Sequence, residues 1–258
     1  MRLNSDELKI LEERSRLLRL QIFDYAKKYG GYHFGGSLSS VEILVDLYQK
    51  ILTDQDRFIL SKGHASLAWY PLLEERGYHP RITEHPDRDE ENGIHCTTGS
   101  LGMGLPTGVG MAMAKKIMKK EGRVYVLLGE AELQEGTAWE SLLLASQYKL
   151  DNLTGIIDYN HSVGSGKLEE ILSLGNLKQK LNAFDAYVLN IDGHSHQEII
   201  NALTATQREK CTMIIANTIK GKGVRFMEED QYSWHAKSPN KDQLRQLYEE
   251  LGGKLNES

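Results

Sequence analysis

Cysteine is scarce in these 258 residues: there are two, Cys96 and Cys211, too few and too far apart for a disulfide framework or a zinc site. They read as the reduced thiols of a cytoplasmic protein. Long apolar runs are missing as well. None approaches the roughly 18 residues of a membrane span, and the amino terminus is charged and amphipathic instead of signal-like. Positive charge is not in excess: 31 Lys and Arg face 36 Asp and Glu, a net charge of −5, with a pI near 6.0. That balance argues against a nucleic-acid or polyanion binder. No internal repeat and no low-complexity segment is present. The usual nucleotide loops are absent too. Gly164-Ser165-Gly166-Lys167 lacks the first glycine of a phosphate loop, where His161 stands, and has Leu168 in place of Ser or Thr. The glycines of residues 97–104 have the wrong spacing for a dinucleotide fingerprint, and no β-rich strand leads into them.

What is present is a 40% hydrophobic content, enough for one large core and better suited to a single α/β domain than to two small ones. Residues 5–29 mix charged and apolar positions at helical spacing, with Leu8, Leu11, Leu17, Leu18, Ile22 and Tyr25 as the inner face and Ser5 as the cap. The helix gives way at Gly30-Gly31. Residues 32–37 read as a loop that Ser39 or Ser40 closes as the cap of a second helix through Tyr48. His33 lies in that loop, where a surface position is the commoner reading. A strand at 57–60 leads into Ser61-Lys62-Gly63-His64-Ala65 and a helix through Glu75. Residues 77–93, with Pro80 and Pro86, read as an ordered loop carrying His79 and His85. A helix follows over about 107–120. Beyond Gly166 come a helix near 174–181, a strand at 187–191, a helix at 196–206 and an apolar β-branched run at 212–219. A loop-like tail at 226–240 holds Trp234-His235, a helix spans 242–251, and the stretch after Leu251 reads as a frayed end. The alternation predicts an α/β fold, a parallel sheet flanked by helices on both faces. It forms one domain over 1–258, with an amino-terminal helix in 1–30 and a carboxy-terminal loop and helix in 226–258.

The most informative stretch is 127–166. An apolar run ending at Leu128 halts at Gly129 and passes into acidic residues; a helical pattern follows, then a second run that ends at Asp158 and Asn160. In a strand, crossover helix and strand, both strands are parallel and neighbouring, so Glu130 and Asn160 emerge at the same carboxyl edge of the sheet. Open α/β sheets bind ligands there. A carboxylate and an amide oxygen with nearby backbone carbonyls suit magnesium or calcium, and N–H groups at Gly129 and the following helix start suit phosphate oxygens. Together they suggest a divalent ion bridging a diphosphate to the protein. The same residues also suit plain polar loops closing two strands.

The stretch resembles the thiamine diphosphate motif of transketolases through Gly129-Glu130-Ala131, Glu135-Gly136, Trp139-Glu140 and Asn160. The resemblance runs from Gly31 to Asn240. It includes Gly35-Gly36-Ser37-Leu38-Ser39, Ser61-Lys62-Gly63-His64, Thr97-Thr98-Gly99-Ser100-Leu101-Gly102, Asp192-Gly193-His194 and Lys220-Gly221-Lys222-Gly223. It implies Glu130, Asn160 and the backbone carbonyl of Ser162 as ligands of Mg2+ or Ca2+, with Gly129 and Ala131 beside the diphosphate. His64 would contact that diphosphate and His235 both diphosphate and reaction centre. His33 would move protons at the substrate and His85 meet its hydroxyls. Gly99 and Leu101 would hold the aminopyrimidine, and Glu135 and Glu140 would be buried glutamates linking two cofactor sites across a dimer. Imidazoles fit this chemistry because ketol transfer develops and discharges alkoxides.

There are departures. Glu130 stands where the family has Asp, moving the carboxylate outward by about 1.5 Å, and Ala131 replaces a Gly. Tyr32 and Phe34 replace the Gly and Pro that flank His33, and Glu84 replaces the Gly before His85. Bulky aromatics there are expected to narrow the substrate entrance and favour a donor or acceptor other than the common pentose phosphates. The family's pyrimidine-activating glutamate belongs to a second domain. The resemblance therefore implies a split enzyme acting on a sugar or sugar phosphate. In it this single diphosphate-binding domain pairs with a separate pyrimidine-binding subunit, the whole forming an α2β2 heterotetramer. Two other readings are a non-catalytic partner that keeps the fold, and another thiamine diphosphate enzyme such as a deoxyxylulose phosphate synthase-like protein.

Overall fold

The computed structural model describes residues 2–31, 33–164 and 166–255. Strands β1 (Arg57–Leu60), β2 (Val124–Gly129) and β3 (Leu153–Tyr159) are followed by a short antiparallel hairpin, β4 (Ser162–Val163) and β5 (Gly166–Lys167), and then by β6 (Tyr187–Asp192) and β7 (Thr212–Asn217). Among the described residues, β1, β2, β3, β7 and β6 pair in that order, all parallel. The helices are α1 (Ser5–Tyr29), α2 (Phe34–Ser39), α3 (Val41–Asp46), α4 (Tyr70–Glu75), α5 (Gly104–Ile117), α6 (Gly136–Gln147), α7 (Leu168–Leu172), α8 (Leu177–Ala183), α9 (His196–Thr204), α10 (Arg225–Glu229) and α11 (Lys241–Glu250).

Both faces of the sheet are covered, which is why its strands read as continuous apolar runs. Along β2, Tyr125 and Leu127 enter the core shared with α1, α3 and α9, while Val124, Val126 and Leu128 enter the core shared with α5, α6 and α8. The α/β class and the flanked parallel sheet are as expected. Among the described residues no helix is long and apolar enough to cross a membrane.

Several local expectations are corrected. Asn4, not Ser5, caps α1: its side chain accepts from the N–H groups of Asp6 and Glu7, and Glu7 reaches back to the Asn4 N–H, a complete capping box. The inner face of α1 runs through Leu11, Ser15, Leu18 and Ile22, so Leu17 is 40% exposed. The helix after Gly31 starts earlier than expected, at Phe34, because Phe34 stacks on Phe23 of α1 at 5.0 Å and is buried there. Phe34 therefore builds core and does not narrow an entrance; Tyr32 lies outside the described residues. The tail 226–240 is not plain loop, since α10 and a 3₁₀ turn at Gln231–Trp234 bury Met227 and Trp234. The end after Leu251 is described only to residue 255.

A buried charge network ties α1 and α3 to the segments that follow β6 and β7. The Arg19 Nη2 donates to Glu42 Oε1 at 2.5 Å and its Nε to the Lys222 carbonyl at 2.8 Å. His194 Nε2 accepts from the Ile219 N–H, so its Nδ1 is left to donate to Glu42 at 2.9 Å. Burial by itself would raise the Glu42 carboxyl, but Arg19 and His194 outweigh it and hold the pKa at about 2. A carboxyl depressed this way contributes stability that is complete above its unfolded value near 4.5 and is lost as pH falls through about 2. The contribution is about 3 kcal/mol. In urea titrations, wild type should exceed Glu42→Gln in stability by about that amount at pH 6. The gap should close between pH 4.5 and 2; a gap independent of pH would show that the charge of Glu42 is not what stabilises.

Candidate active site

The register pairs Gly129 with Asp158, so the residues that follow β2 and β3 leave the sheet side by side. They meet the segments after β1 and β7, the start of α2, the loop at 85–101 and His235 around a cavity of about 390 Å³ at the carboxyl edge. Of the expected residues, His33, His64, His85, His235, Gly99, Leu101, Gly129, Glu130, Ala131, Asn160 and Ser162 all line it. Ala131 adds its methyl to the wall without closing the space.

One wall is a set of buried oxygens. Glu130 is 2% exposed; its Oε1 accepts from the Ser162 N–H, while its Oε2 has no partner. The Asn160 Oδ1 and Ser162 Oγ are buried and unpaired as well. Burial pushes the Glu130 carboxyl up to about 8, although the backbone of His161 and Ser162 pulls the other way. Buried polar atoms are normally satisfied, so three orphaned oxygens on one cavity wall fit a hard divalent cation. Among the described residues no three His, Cys, Asp or Glu side chains are placed to share a metal; the donors here are one carboxylate, one amide and one hydroxyl. The sequence suggested the backbone carbonyl of Ser162; the unpaired buried atom found at this residue is its hydroxyl. The Gly129 N–H, expected to face a phosphate, instead donates to Glu132 Oε2 at 2.8 Å. Glu132 also accepts from Ser61 Oγ at 2.5 Å and from the Gly102 N–H at 3.1 Å, tying three loops of the edge together.

Beside the oxygens lie two buried lysines. Lys62 Nζ donates to the Gly36 carbonyl at 2.8 Å and to Ser40 Oγ at 3.0 Å, and pairs with Asp158. Asp158 also accepts from Ser39 Oγ at 2.6 Å, from Asn160 Nδ2 at 3.2 Å and from Thr218 Oγ1. The pair and its hydroxyls hold this carboxyl below the usual carboxylate range despite burial. Lys220 Nζ donates to the Gly164 carbonyl at 2.8 Å and is pushed down to about 8, by burial first and by Lys62 next. Asp158 and Glu130 both act on Lys220, and the two lysines give this wall ammonium donors that an anion could meet.

The histidines cluster about His33, whose ring centroid lies 5.2 Å from that of His235, 5.6 Å from His64 and 5.9 Å from His85. Two glycines permit this. A Cβ on Gly36 would sit 2.8 Å from His64 Nε2, and one on Gly99, whose φ is +130°, would sit 2.9 Å from the His85 ring. Burial lowers the pKa of His33 and holds His64 well below the ordinary value, with Lys62 adding to the effect on His64. His235 falls to about 4 through burial and Lys220. The rings of His33, His64 and His235 are therefore neutral near pH 7, each with one donor and one acceptor nitrogen. The Glu84 carboxylate, flagged in the sequence only as a departure, lies 2.9 Å from His33 Nδ1.

Glu135 is not brought to this cavity. It is exposed, at the junction between the 3₁₀ turn Glu130–Gln134 and α6, and Glu140 on α6 is exposed too. The expectation that they are buried fails for the single chain, since their proposed role lay across a dimer. Near them Leu101, Met103, Leu143, Leu144 and Tyr148 are exposed large apolar residues. Sequence reasoning gave no role to Lys62, Lys220, Glu132 or Asp158. The available signal was a charged residue at the end of an apolar run, where burial demands a partner.

Residues 12–258 match the family model described as the transketolase, thiamine diphosphate binding domain. The chain is similar to an apulose-4-phosphate transketolase subunit of Phocaeicola vulgatus, at 35% identity over 96% of each chain. It is also similar to the 6-deoxy-6-sulfo-D-fructose transketolase subunit SqwG of a Clostridium species, at 36% identity over 84% of this chain and 88% of that one. The solved transketolase of Campylobacter jejuni superposes with a TM-score of 0.86 at 29% identity, covering 100% of this chain and 44% of that one. The chain thus spans less than half of that transketolase and nearly all of the subunits. With the parallel sheet and the cavity at its carboxyl edge, these likenesses establish that the chain belongs to the transketolase family and carries its thiamine diphosphate binding domain.

Proposed function

We propose that this chain is the diphosphate- and metal-binding subunit of a two-subunit, cytoplasmic transketolase-like enzyme that moves a two-carbon ketol unit from a ketose to an aldose. The observation that carries the reading is the group of unpaired buried oxygens, from Glu130, Asn160 and Ser162, beside buried Lys62 and Lys220. The oxygens would hold Mg2+ or Ca2+ and, through it, the diphosphate, whose remaining charge the lysines offset. Bound thiamine diphosphate supplies the electron sink for breaking and making a carbon–carbon bond. The chain's own work is to orient and to move protons. Gly99 and Leu101 support the aminopyrimidine, while the imidazoles of His33, His64, His85 and His235 surround the reacting hydroxyls. A separate pyrimidine-binding subunit supplies the activating carboxylate, in keeping with the names of the two subunit relatives, in an α2β2 assembly whose contact includes the exposed apolar residues beside Glu135 and Glu140. The substrate is a ketose with an anionic end, in keeping with the sugars in the names of the two subunit relatives.

Calorimetry and coupled rate assays on the chain with its partner subunit test this. The pair should bind thiamine diphosphate only with Mg2+ or Ca2+ and transfer ketol units only when both subunits are present. Ketol transfer by the isolated chain, or no cofactor binding by the pair, would sink the proposal.

A further inference from the structure

We propose that Glu132 and Thr137 are positioning residues that clamp Gly102 from both sides, and so set the loop that supports the aminopyrimidine at a fixed distance from the cation-binding turn. The inference deepens the proposed function of the cavity and rests on it. Its first observation is that both polar groups of the Gly102 backbone are held by side chains of one short segment. The Gly102 N–H donates to Glu132 Oε1 at 3.1 Å, and the Gly102 carbonyl accepts from Thr137 Oγ1 at 2.9 Å. That segment starts at Glu130: Glu132 lies in the 3₁₀ turn Glu130–Gln134 and Thr137 in the first turn of α6. Neither side chain lines the cavity, whereas Glu130 does, as do Gly99 and Leu101 just ahead of Gly102. Glu132 and Thr137 therefore act through the backbone they hold.

The second observation is that the close approach is built for glycine. Gly102 has a φ of +76°, and a Cβ there would sit 2.6 Å from Thr137 Oγ1 and 2.7 Å from Glu135 Cβ. The loop is seated again at Gly104, where a Cβ would sit 2.4 Å from that of Ser61. The anchor is itself held. Glu132 is 0% exposed, and its two oxygens accept three hydrogen bonds. Oε2 takes the Gly129 N–H, one residue ahead of Glu130, and Oε1 takes Ser61 Oγ, one residue ahead of Lys62, besides the Gly102 N–H. Leu101 needs such a neighbour, because it is 43% exposed and burial does little to fix it. A clamp of this kind sets where the ring is supported relative to where the diphosphate is tied, and a cofactor spanning the two must match that distance.

Probes of different length separate positioning from a merely structural role: thiamine diphosphate needs both the loop and the cation, inorganic pyrophosphate the cation alone. In the chain with its partner subunit and Mg2+, Thr137→Val should weaken thiamine diphosphate binding about 10-fold by calorimetry while pyrophosphate affinity changes less than about 2-fold. The kcat for ketol transfer should fall about 10-fold with the sugar KM changed less than about 3-fold, and Thr137→Ser, which keeps the hydroxyl, should restore binding and rate. Glu132→Gln turns an amide N–H toward one of the donors that the carboxylate now accepts from, so it should weaken thiamine diphosphate binding at least as much. Equal loss for both probes, unchanged thiamine diphosphate affinity or kcat in Thr137→Val, or no recovery in Thr137→Ser would overturn the proposal. A pair that shows the expected split between the probes yet transfers no ketol unit as wild type would keep the clamp and sink the reading of the reaction; a wild-type pair that binds neither probe would sink both.

Discussion

Glu130→Gln should make the isolated chain more stable at pH 8 while costing the assembled protein its divalent cation. The carboxyl is 2% exposed, one oxygen has no partner, and burial lifts its pKa from 4.5 to about 8. A carboxyl raised on folding contributes stability that is complete below its unfolded value and is lost as pH rises through the folded one. Here that window runs from about 4.5 to about 8. By pH 8 the chain without ligand bears a penalty on the order of 4 kcal/mol. Glutamine keeps the acceptor for the Ser162 N–H and drops the charge, so melting temperature should rise by about 10 °C at pH 8 and little at pH 4.5. With partner, Mg2+ and thiamine diphosphate present, the same substitution should weaken cofactor binding about 100-fold, because the one charged oxygen donor is gone. Equal stability of the two proteins at pH 8 would mean that the charge is already matched. Equal cofactor affinity would mean that Glu130 is not a ligand.

Asp158→Leu should have the opposite effect on stability and a comparable one on binding. Lys62 and Asp158 are 1% and 0% exposed, and they join segments 96 residues apart. Removing one member leaves the other buried without compensation, which costs about 3–5 kcal/mol, or about 10 °C in melting temperature. Lys62→Met should destabilise for the same reason. The double variant Lys62→Met, Asp158→Leu should recover to within about 1 kcal/mol of wild type, since an apolar pair of similar volume replaces a buried ion pair at little loss. It should nevertheless fail to bind the diphosphate. Urea unfolding of the four proteins measures the coupling, and calorimetry measures the binding. A single variant within 1 kcal/mol of wild type would show that the pair does not hold the edge together.

How much was legible depended on whether the deciding contact was local. The end of β2 and the end of β3 were plain, because both strands are buried on two faces and the crossover between them leaves one parallel solution. The placement of Glu130 and Asn160 followed from that. The cap of α1 was missed by one residue, since Asn4 and Ser5 are both good caps and only the reach of Glu7 back to Asn4 decides between them. Leu17 and Leu18 look alike in a periodic pattern; the phase of α1 against α3 buries one and exposes the other. Phe34 looked like an obstacle beside His33, yet its ring belongs to Phe23. The ion pair of Lys62 with Asp158, and the close approach of Glu84 to His33, join segments with no pattern in common.

By itself, then, the order of apolar runs, glycines and acids determined an α/β sheet with Glu130 and Asn160 together at its carboxyl edge, because strand ends and crossovers obey rules that act within some tens of residues. Which charges meet there, and which of the expected glutamates stays outside, were decided only when distant loops were packed against one edge. Those contacts are set by burial and by the need to pair every buried charge, and neither can be read along a single segment of chain.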